Sequence, residues 1–453
     1  MFFSWPTDWN NNTAVIEHDR KLTYAQLQEL VEQYKEQLGN GRQLVLLVVH
    51  NNVQSVAIYL ACLQSQHVVL MVDASLDAPK RAKLCDAYQP NWIVDEYGLH
   101  KQHAAQHLLD ERVAVLLSTS GSTGSPKQVA LSVENLQANA QGIASGLPIA
   151  QSDITITTLS MAYSYGLSVI NSHLQCGASI LLNEHSVMSR EFWQALEQHK
   201  VSSFAGVPYS YEMLIRLGLC KKKLADLRYF TQAGGKLAKK YVQQLADFAN
   251  AQNKQFFVMY GQTEATARMA INAEPEHYPE SIGYAIEGGA FLLIDEQGHS
   301  ISQNHIEGQL VYQGPNVMLG YAQSVVDLAH FEPASQLVTG DLAYRDEQGR
   351  YFISGRQARF IKPFGNRISL DDVEIWLQQQ GVDGLATGDN DELWVGVCES
   401  SHLELTDLKN KLQQQLNLHP SKIKIFSIDA IPLTSSGKTD YPAFKQLISE
   451  VSG

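Results

Sequence analysis

The sequence predicts an α/β protein organised as a large region followed by a smaller one, and three observations lead there. Short β-branched runs alternate with amphipathic helical patterns through the first two-thirds of the chain, as in parallel sheets covered by helices. From about Tyr284 to Phe352 the pattern becomes period-two strands punctuated by turns, and beyond Gly355-Arg356 it changes again to mixed strands and helices. A length of 453 residues also exceeds what one hydrophobic core usually serves.

In chain order, strands are expected at Leu44 to Val49, His67 to Val72, Trp92 to Val94, Val113 to Leu117, Ile154 to Leu159, Ser179 to Leu182, Ser203 to Val207 and Phe256 to Tyr260. Between them, Val53 to Gln64 and Arg190 to His199 carry apolar residues at three- and four-residue spacing, which predicts helices. Phe291 to Asp295 before Gln297-Gly298, and Gln309 to Tyr312 before Gly314-Pro315, predict a small antiparallel sheet or barrel. After it, Leu408 to Leu416 reads as helix and Ile423 to Ile428 as strand. The expected division is a core of residues 1–356 and a C-terminal domain of residues 357–453. No internal repeat or low-complexity tract interrupts this order.

With 44% apolar and 18% charged residues, the chain can bury a sizeable core and is neither disordered nor fibrous in composition. Its formal net charge of -13 removes the electrostatic footprint of a nucleic-acid binder. A cationic pocket can still sit inside an acidic protein, because the field in a cleft is set by nearby groups. The clusters Lys221, Lys222, Lys223 and Lys239, Lys240 read either as a dock for an acidic partner or as solvated helix ends. The five cysteines, Cys62, Cys85, Cys176, Cys220 and Cys398, are scattered, with no Cys-x-x-Cys pair and no metal-ligand spacing. No signal peptide is expected at Met1 to Asn12, and no run of about 18 apolar residues spans a bilayer, so a reducing cytoplasm is the expected location.

The chemistry concentrates in a few segments. Ser118-Thr119-Ser120-Gly121-Ser122-Thr123-Gly124-Ser125-Pro126-Lys127 follows an apolar strand, and its glycines and hydroxyls let backbone N–H groups approach phosphate oxygens while Lys127 adds a point charge. This is not a Walker A loop, since Pro126 precedes the lysine and Gln128 follows it. Tyr260-Gly261-Gln262-Thr263-Glu264 ends another apolar strand, where ligands of open α/β sheets gather. Thr339-Gly340-Asp341, Gly355-Arg356, Lys362, Gly365-Asn366-Arg367 and Ser435-Ser436-Gly437-Lys438 follow. Each is ordinary turn chemistry alone; their order and spacing are not.

Together with Leu22-Thr-Tyr-Ala-Gln-Leu27 near the start, these segments run through nearly the whole chain, which resembles the adenylate-forming superfamily of acyl-CoA synthetases, nonribosomal peptide adenylation domains and luciferases. The resemblance implies two α/β subdomains and a small β-barrel, followed by a small mobile α+β domain. It implies condensation of a carboxylic acid with ATP to an acyl-AMP, with Mg²⁺, and transfer to the thiol of CoA or of a phosphopantetheinyl carrier protein. On that basis Thr119 to Lys127 hold the triphosphate, Thr263 touches the α-phosphate, Glu264 holds Mg²⁺, and Tyr260 stacks on adenine. Gly235 and Gly261 lie beside the nucleotide, Asp341 accepts the ribose hydroxyls, and Arg356 is close by. Lys438 is the catalytic lysine, Arg367 serves phosphate or thiol-cofactor contacts, and Ala358 is the hinge, where the family usually has Asp or Lys.

Tyr163, Ser164, Tyr165, Gly166, Phe204, Val207, Pro208, Gln232, Gly234, Gly235 and Lys236 are the expected acid-pocket residues. Amino-acid-activating relatives place an Asp where this chain has Gly166, and an ammonium buried without a counter-charge is costly, so a standard α-amino acid is disfavoured. Many acyl-CoA synthetases have His where this chain has Tyr163, and Val133 stands where the family has a further His. Lys236 either pairs with an acidic substrate group or points into water. The expected partners are a small carboxylic acid and, as a candidate acceptor, an acyl carrier protein. Amino-acid activation, a non-catalytic docking module of the same fold and luciferase-like oxidation remain the alternatives.

Overall fold

The run Leu44–Val49 is apolar at every position because it is buried on both faces, with Val68–Asp73 and Trp92–Asp95 paired to it in parallel. In the computed structural model, which describes residues 1–102, 106–118, 126–356, 359–361, 368–389, 392–398, 404–416, 418–434 and 439–452, it centres the first of two large sheets. That sheet runs in the order Gly320–Ala322, Gln128–Ser132, Val113–Ser118, Val68–Asp73, Leu44–Val49, Trp92–Asp95, Gly98–Lys101. The helix Val53–Gln64 is buried along nearly its whole length, as a core helix is.

A second sheet carries, side by side and parallel, Gln255–Gln262, Tyr229–Gln232, Ser203–Gly206, Ile154–Ile156, Ser179–Leu182 and Thr13–Glu17. Beyond Gln255–Gln262 the antiparallel strands Ala267–Asn272 and Ser281–Ala285 extend it. The helix Ser164–Gln175 is buried at every residue from Ser164 to Leu174, contributing Leu167, Ile170 and Leu174 to one core cluster and Tyr165 and Val169 to another. Helix Val133–Gly146 beside it starts at Ser132, whose hydroxyl and Asn135 form a reciprocal capping box.

Two compact units emerge: Met1–Phe291 with Tyr312–Leu337, and Leu292–Val311 with Val338–Gly453. The expected cut after residue 356 does not coincide with this division, because the paired strands Leu337–Arg345 and Tyr351–Arg356 fall, from Val338 on, with the C-terminal unit. That unit also holds a three-stranded sheet of Gly384–Asp389, Glu392–Cys398 and Ile423–Ile428. Its core gathers Val373, Leu377, Val395, Leu408, Leu412 and Ile423.

Some strands end earlier or later than their composition suggests. Ser203–Gly206 stops short of Val207 because Pro208 opens the helix Pro208–Arg216. Ile154–Ile156 stops where the Thr157 hydroxyl turns to the Asn183 carbonyl, 3.3 Å away. The strand Gln255–Gln262 runs two residues past Tyr260 because the returning strand pairs with it as far as Gln262.

Candidate active site

In the parallel sheet, Gly206 lies beside Gln232 and Gln232 beside Val258, so the ends of three strands open on one edge. Val207, the 233–236 turn and Met259 to Glu264 therefore lie beyond the end of the parallel pairing, at the place where open α/β sheets bind ligands. The chain then makes a short turn, Thr263–Ala265, passes through Thr266 at φ 67°, and returns as Ala267–Asn272. Gly261 makes the close approach possible: a Cβ there would lie 1.6 Å from the Ala267 carbonyl oxygen.

The turn is pinned from the segment that follows residue 312. The Asn316 side-chain amide donates to the Ala265 carbonyl at 2.9 Å, the Thr266 hydroxyl donates to the Asn316 carbonyl at 2.6 Å, and the Met318 N–H donates to the Glu264 carbonyl at 2.9 Å. Thr263, 6% exposed, shares a hydroxyl–hydroxyl bond of 3.1 Å with Ser164, the first residue of the buried helix.

Glu264 faces a tyrosine that the sequence analysis did not single out. The Tyr321 hydroxyl donates to Glu264 Oε1 at 3.0 Å, and burial followed by the Glu264 charge holds its pKa above the usual phenol range. Lys127 Nζ sits 3.7 Å from the centroid of the same ring, within cation–π reach. The cause is register: Tyr321 pairs with Val129 across the strands Gly320–Ala322 and Gln128–Ser132, which sets Lys127 beside it. A lysine, a phenol and a carboxylate thus share one wall with Thr263. Among the described residues no group of three or more His, Cys, Asp or Glu side chains could hold a metal by itself.

A neighbouring core cluster is built on the helix Ser164–Gln175. The Tyr165 hydroxyl lies 2.8 Å from the Thr231 hydroxyl, and the Tyr163 and Tyr165 rings meet edge to face at 6.3 Å. Gly166 packs against backbone: an added Cβ would lie 2.2 Å from the Ser160 carbonyl oxygen. Val207, Ala205, Met259 and Tyr165 belong to one cluster with Tyr163 at its margin. Gln232 is buried and donates to the Gly235 carbonyl at 2.8 Å, whereas Gly235 and Lys236 are exposed. Phe204 goes elsewhere: one position from Ala205 on its strand, it packs in the other core cluster with Phe230, Tyr211 and Trp193.

One buried cation touches members of this cluster. Arg268, 2% exposed, donates from Nε to the Ser168 hydroxyl at 3.1 Å; its Nη1 is 3.6 Å from the Met259 sulfur and its guanidinium 5.0 Å from the Tyr165 ring centroid. Burial pulls its pKa down, against the opposing influence of Tyr165 and Tyr229. Among the described residues no carboxylate pairs with it, and Asp153, whose charge reaches Tyr229, is taken by Arg228 at 2.5 and 2.6 Å. The signal was present in the sequence, as a lone arginine inside the strand run Ala267-Arg-Met-Ala-Ile271 just after Glu264.

In the C-terminal unit, Asp341 lies opposite Arg356 on paired strands, is 4% exposed and accepts from Arg356 Nε at 3.1 Å. The Arg356 N–H donates to Asp371 at 2.8 Å. Tyr260 is half-buried with its ring tilted against Phe291, centroids 6.1 Å apart. The basic clusters behave as a solvated face in part: Lys222 lies over the Trp193 ring and Lys239 pairs with Glu280 at 3.2 Å. Thr119 to Gly124, Ala358, Arg367 and Lys438 lie outside the described residues.

The family model described as AMP-binding enzyme matches residues 2–111 and 85–322. D-alanine–D-alanyl carrier protein ligase of Bacillus anthracis is 24% identical over 506 aligned positions, covering 99% of this chain and 98% of the relative. Oxalate–CoA ligase of Arabidopsis thaliana is 25% identical, covering 92% of this chain and 91% of its own. The solved structure of o-succinylbenzoate coenzyme A synthetase from Bacillus subtilis, in complex with ATP and magnesium ion, superimposes with a TM-score of 0.78 at 20% identity, covering 96% of each chain. The chain belongs to the AMP-binding enzyme family, the adenylate-forming ligases.

Proposed function

We propose that this chain joins a small carboxylic acid other than a standard α-amino acid to AMP at the sheet edge around Thr263 and Glu264, and passes the acyl group to a thiol. The observation that carries the reading is the convergence of Lys127, Tyr321, Glu264, Thr263 and Ser164 beside a buried, aromatic-rich cluster at the sheet edge. As a member of its family the chain is an AMP-forming ligase. The acid carboxylate attacks the α-phosphorus of ATP, the bond to pyrophosphate breaks, and acyl-AMP results.

Both partners are anionic, so positioning and charge neutralisation carry the rate. Lys127 and the 119–124 loop hold the triphosphate, Tyr260 takes the adenine, and Gly235 and Gly261 give the nucleotide its close backbone approach. A magnesium ion fits the donor set, since Glu264 is partly exposed and held by one phenol, leaving acceptor positions free for a hard cation. Such an ion supplies positive charge to the phosphates when bound. Asp341 accepts the ribose hydroxyls with Arg356 beside it, and Lys438 bridges the acid and the α-phosphate. One lysine charge about 4 Å from an anion contributes on the order of 4 kcal/mol at an effective dielectric of about 20.

Gly166 supports the exclusion of α-amino acids: the carboxylate that would bind an ammonium has no room, because any Cβ meets the Ser160 backbone. The acceptor is CoA or a phosphopantetheinyl carrier protein; related ligases of both kinds cover nearly the whole chain. Residues 357–453 act as the mobile domain, turning at Ala358, with Arg367 contacting phosphate or the thiol cofactor. No helix among the described residues is long and apolar enough to cross a membrane, and the five cysteines are free. Pyrophosphate release measured over a panel of carboxylic and amino acids, with CoA and with carrier protein, tests the reading: release should need ATP, magnesium and a non-amino acid, and release with no acid in the panel would overturn it.

A further inference from the structure

We infer that the acid activated here is a short dicarboxylic acid, whose second carboxylate is received by Arg268. The inference rests on the ligase reading above and names its substrate class. A guanidinium taken out of water costs several kcal/mol unless a partner offsets it. What surrounds Arg268 offsets only part of that: a neutral hydroxyl, a thioether and the face of a tyrosine. Arginine carries five N–H donors in a planar fork that matches a carboxylate with two parallel bonds. Burying this group with no carboxylate partner among the described residues makes sense when the ligand brings one.

Position sets the length of that ligand. Ser164 and Ser168 are one turn apart on the same helix, about 6 Å along its axis. Ser164 bonds Thr263, next to Glu264, and Ser168 bonds Arg268, so the reacting end and the cation are separated by about that rise. The hairpin agrees, since Thr263 and Arg268 flank one tight turn, with Arg268 opposite Gly261. A spacing of this size suits two carboxylates joined by a few carbons. Val207, Val169 and Met259 in the adjoining cluster are apolar, and Lys236 is exposed, so Arg268 is the cation on this side of Thr263 to read the second group. The same charge repels an ammonium, in agreement with the missing acid at Gly166.

The test compares pyrophosphate release by the full chain with malonate, succinate and glutarate against propionate, butyrate and valerate, in the wild type, Arg268→Met, Arg268→Lys and Ser168→Ala. The wild type should favour at least one diacid over its matched monoacid by about a hundredfold or more in kcat/KM, consistent with two charge-assisted bonds. Arg268→Met should raise the diacid KM enough to erase that preference, read as the ratio of diacid to monoacid kcat/KM within the same variant, and Arg268→Lys should restore part of it. Should Arg268→Met fail to fold, Ser168→Ala still reads the effect, as a severalfold rise in KM for the diacid alone. Turnover confined to monoacids, or a diacid preference that survives Arg268→Met, overturns the inference and leaves the ligase reading intact. Absence of release with every acid, α-amino acids included, overturns both.

Discussion

Tyr321 keeps its proton because burial and the neighbouring Glu264 charge both raise its pKa, so it is a fixed donor to the carboxylate proposed to hold magnesium. Tyr321→Phe keeps the ring under Lys127 and removes only the hydroxyl. A hydrogen bond to a charged group is worth about 1.5–3 kcal/mol when buried and less where water competes, so a rise of roughly threefold to tenfold in the magnesium concentration for half-maximal pyrophosphate release is expected, with little change in Tm. An unchanged magnesium requirement would remove Tyr321 from the site. Lys438→Ala should lower acid-dependent pyrophosphate release by roughly a hundredfold or more, given a lost charge of about 4 kcal/mol, while thermal unfolding stays the same. Near wild-type release would end its assignment. Glu264 and Thr263 were legible because they stand together in one segment. Tyr321 and Arg268 were not: Tyr321 reaches Glu264 through strand register, and Arg268 stands out once it is seen to be buried with no carboxylate partner among the described residues.

Two elements hold the pocket, and each makes its own demand. The hairpin Gln255–Gln262 with Ala267–Asn272 needs glycine at position 261, where any Cβ would collide with the Ala267 carbonyl. The helix Ser164–Gln175 buries His173, whose pKa falls to about 4 through burial and then the charge of Arg268, with the Val169 carbonyl bond opposing. Since that carbonyl can only accept, Nδ1 carries the proton, and Nε2 accepts from the Tyr229 hydroxyl at 3.0 Å. The unfolded chain therefore binds a proton near pH 6.5 that the folded chain refuses until about pH 4. Stability is full above the unfolded value and declines as pH falls through this window, by roughly 2 kcal/mol at about pH 5. His173→Gln should flatten the fall in Tm between about pH 7 and pH 5; equal slopes in the two proteins would show that another group carries it. This helix was hard to read because it is buried on every side, so its sequence lacks the polar stripe that marks the ends and face of a surface helix. Val53–Gln64, also buried, is legible as a helix because its apolar residues recur at three- and four-residue spacing.

At the scale of the chain, alternation of strand and helix was legible from Leu44 onward, since parallel strands buried on both faces carry continuous β-branched runs that survive without knowledge of their neighbours. The boundary was less legible. Composition changes near residue 357, whereas the compact units part at Phe291, Val311 and Leu337, and the paired strands between Val338 and Arg356 fall with the residues that follow them. A structural unit and a moving unit need not share a border: a hinge needs only a few residues that absorb a change in φ and ψ. Ala358 is the proposed pivot, and alanine there allows rotation without the side-chain latch that Asp or Lys would provide. Proline fixes φ near -65° and removes a donor, so Ala358→Pro should block the turn while leaving the starting orientation accessible. Acid-dependent pyrophosphate release in a single turnover should then stay within about threefold of wild type, whereas thioester formation from acyl-AMP should fall by roughly tenfold or more. If both steps fell together, position 358 would be part of the adenylation machinery and the pivot would have to lie elsewhere; if neither fell, thiol transfer would not require rotation at this residue.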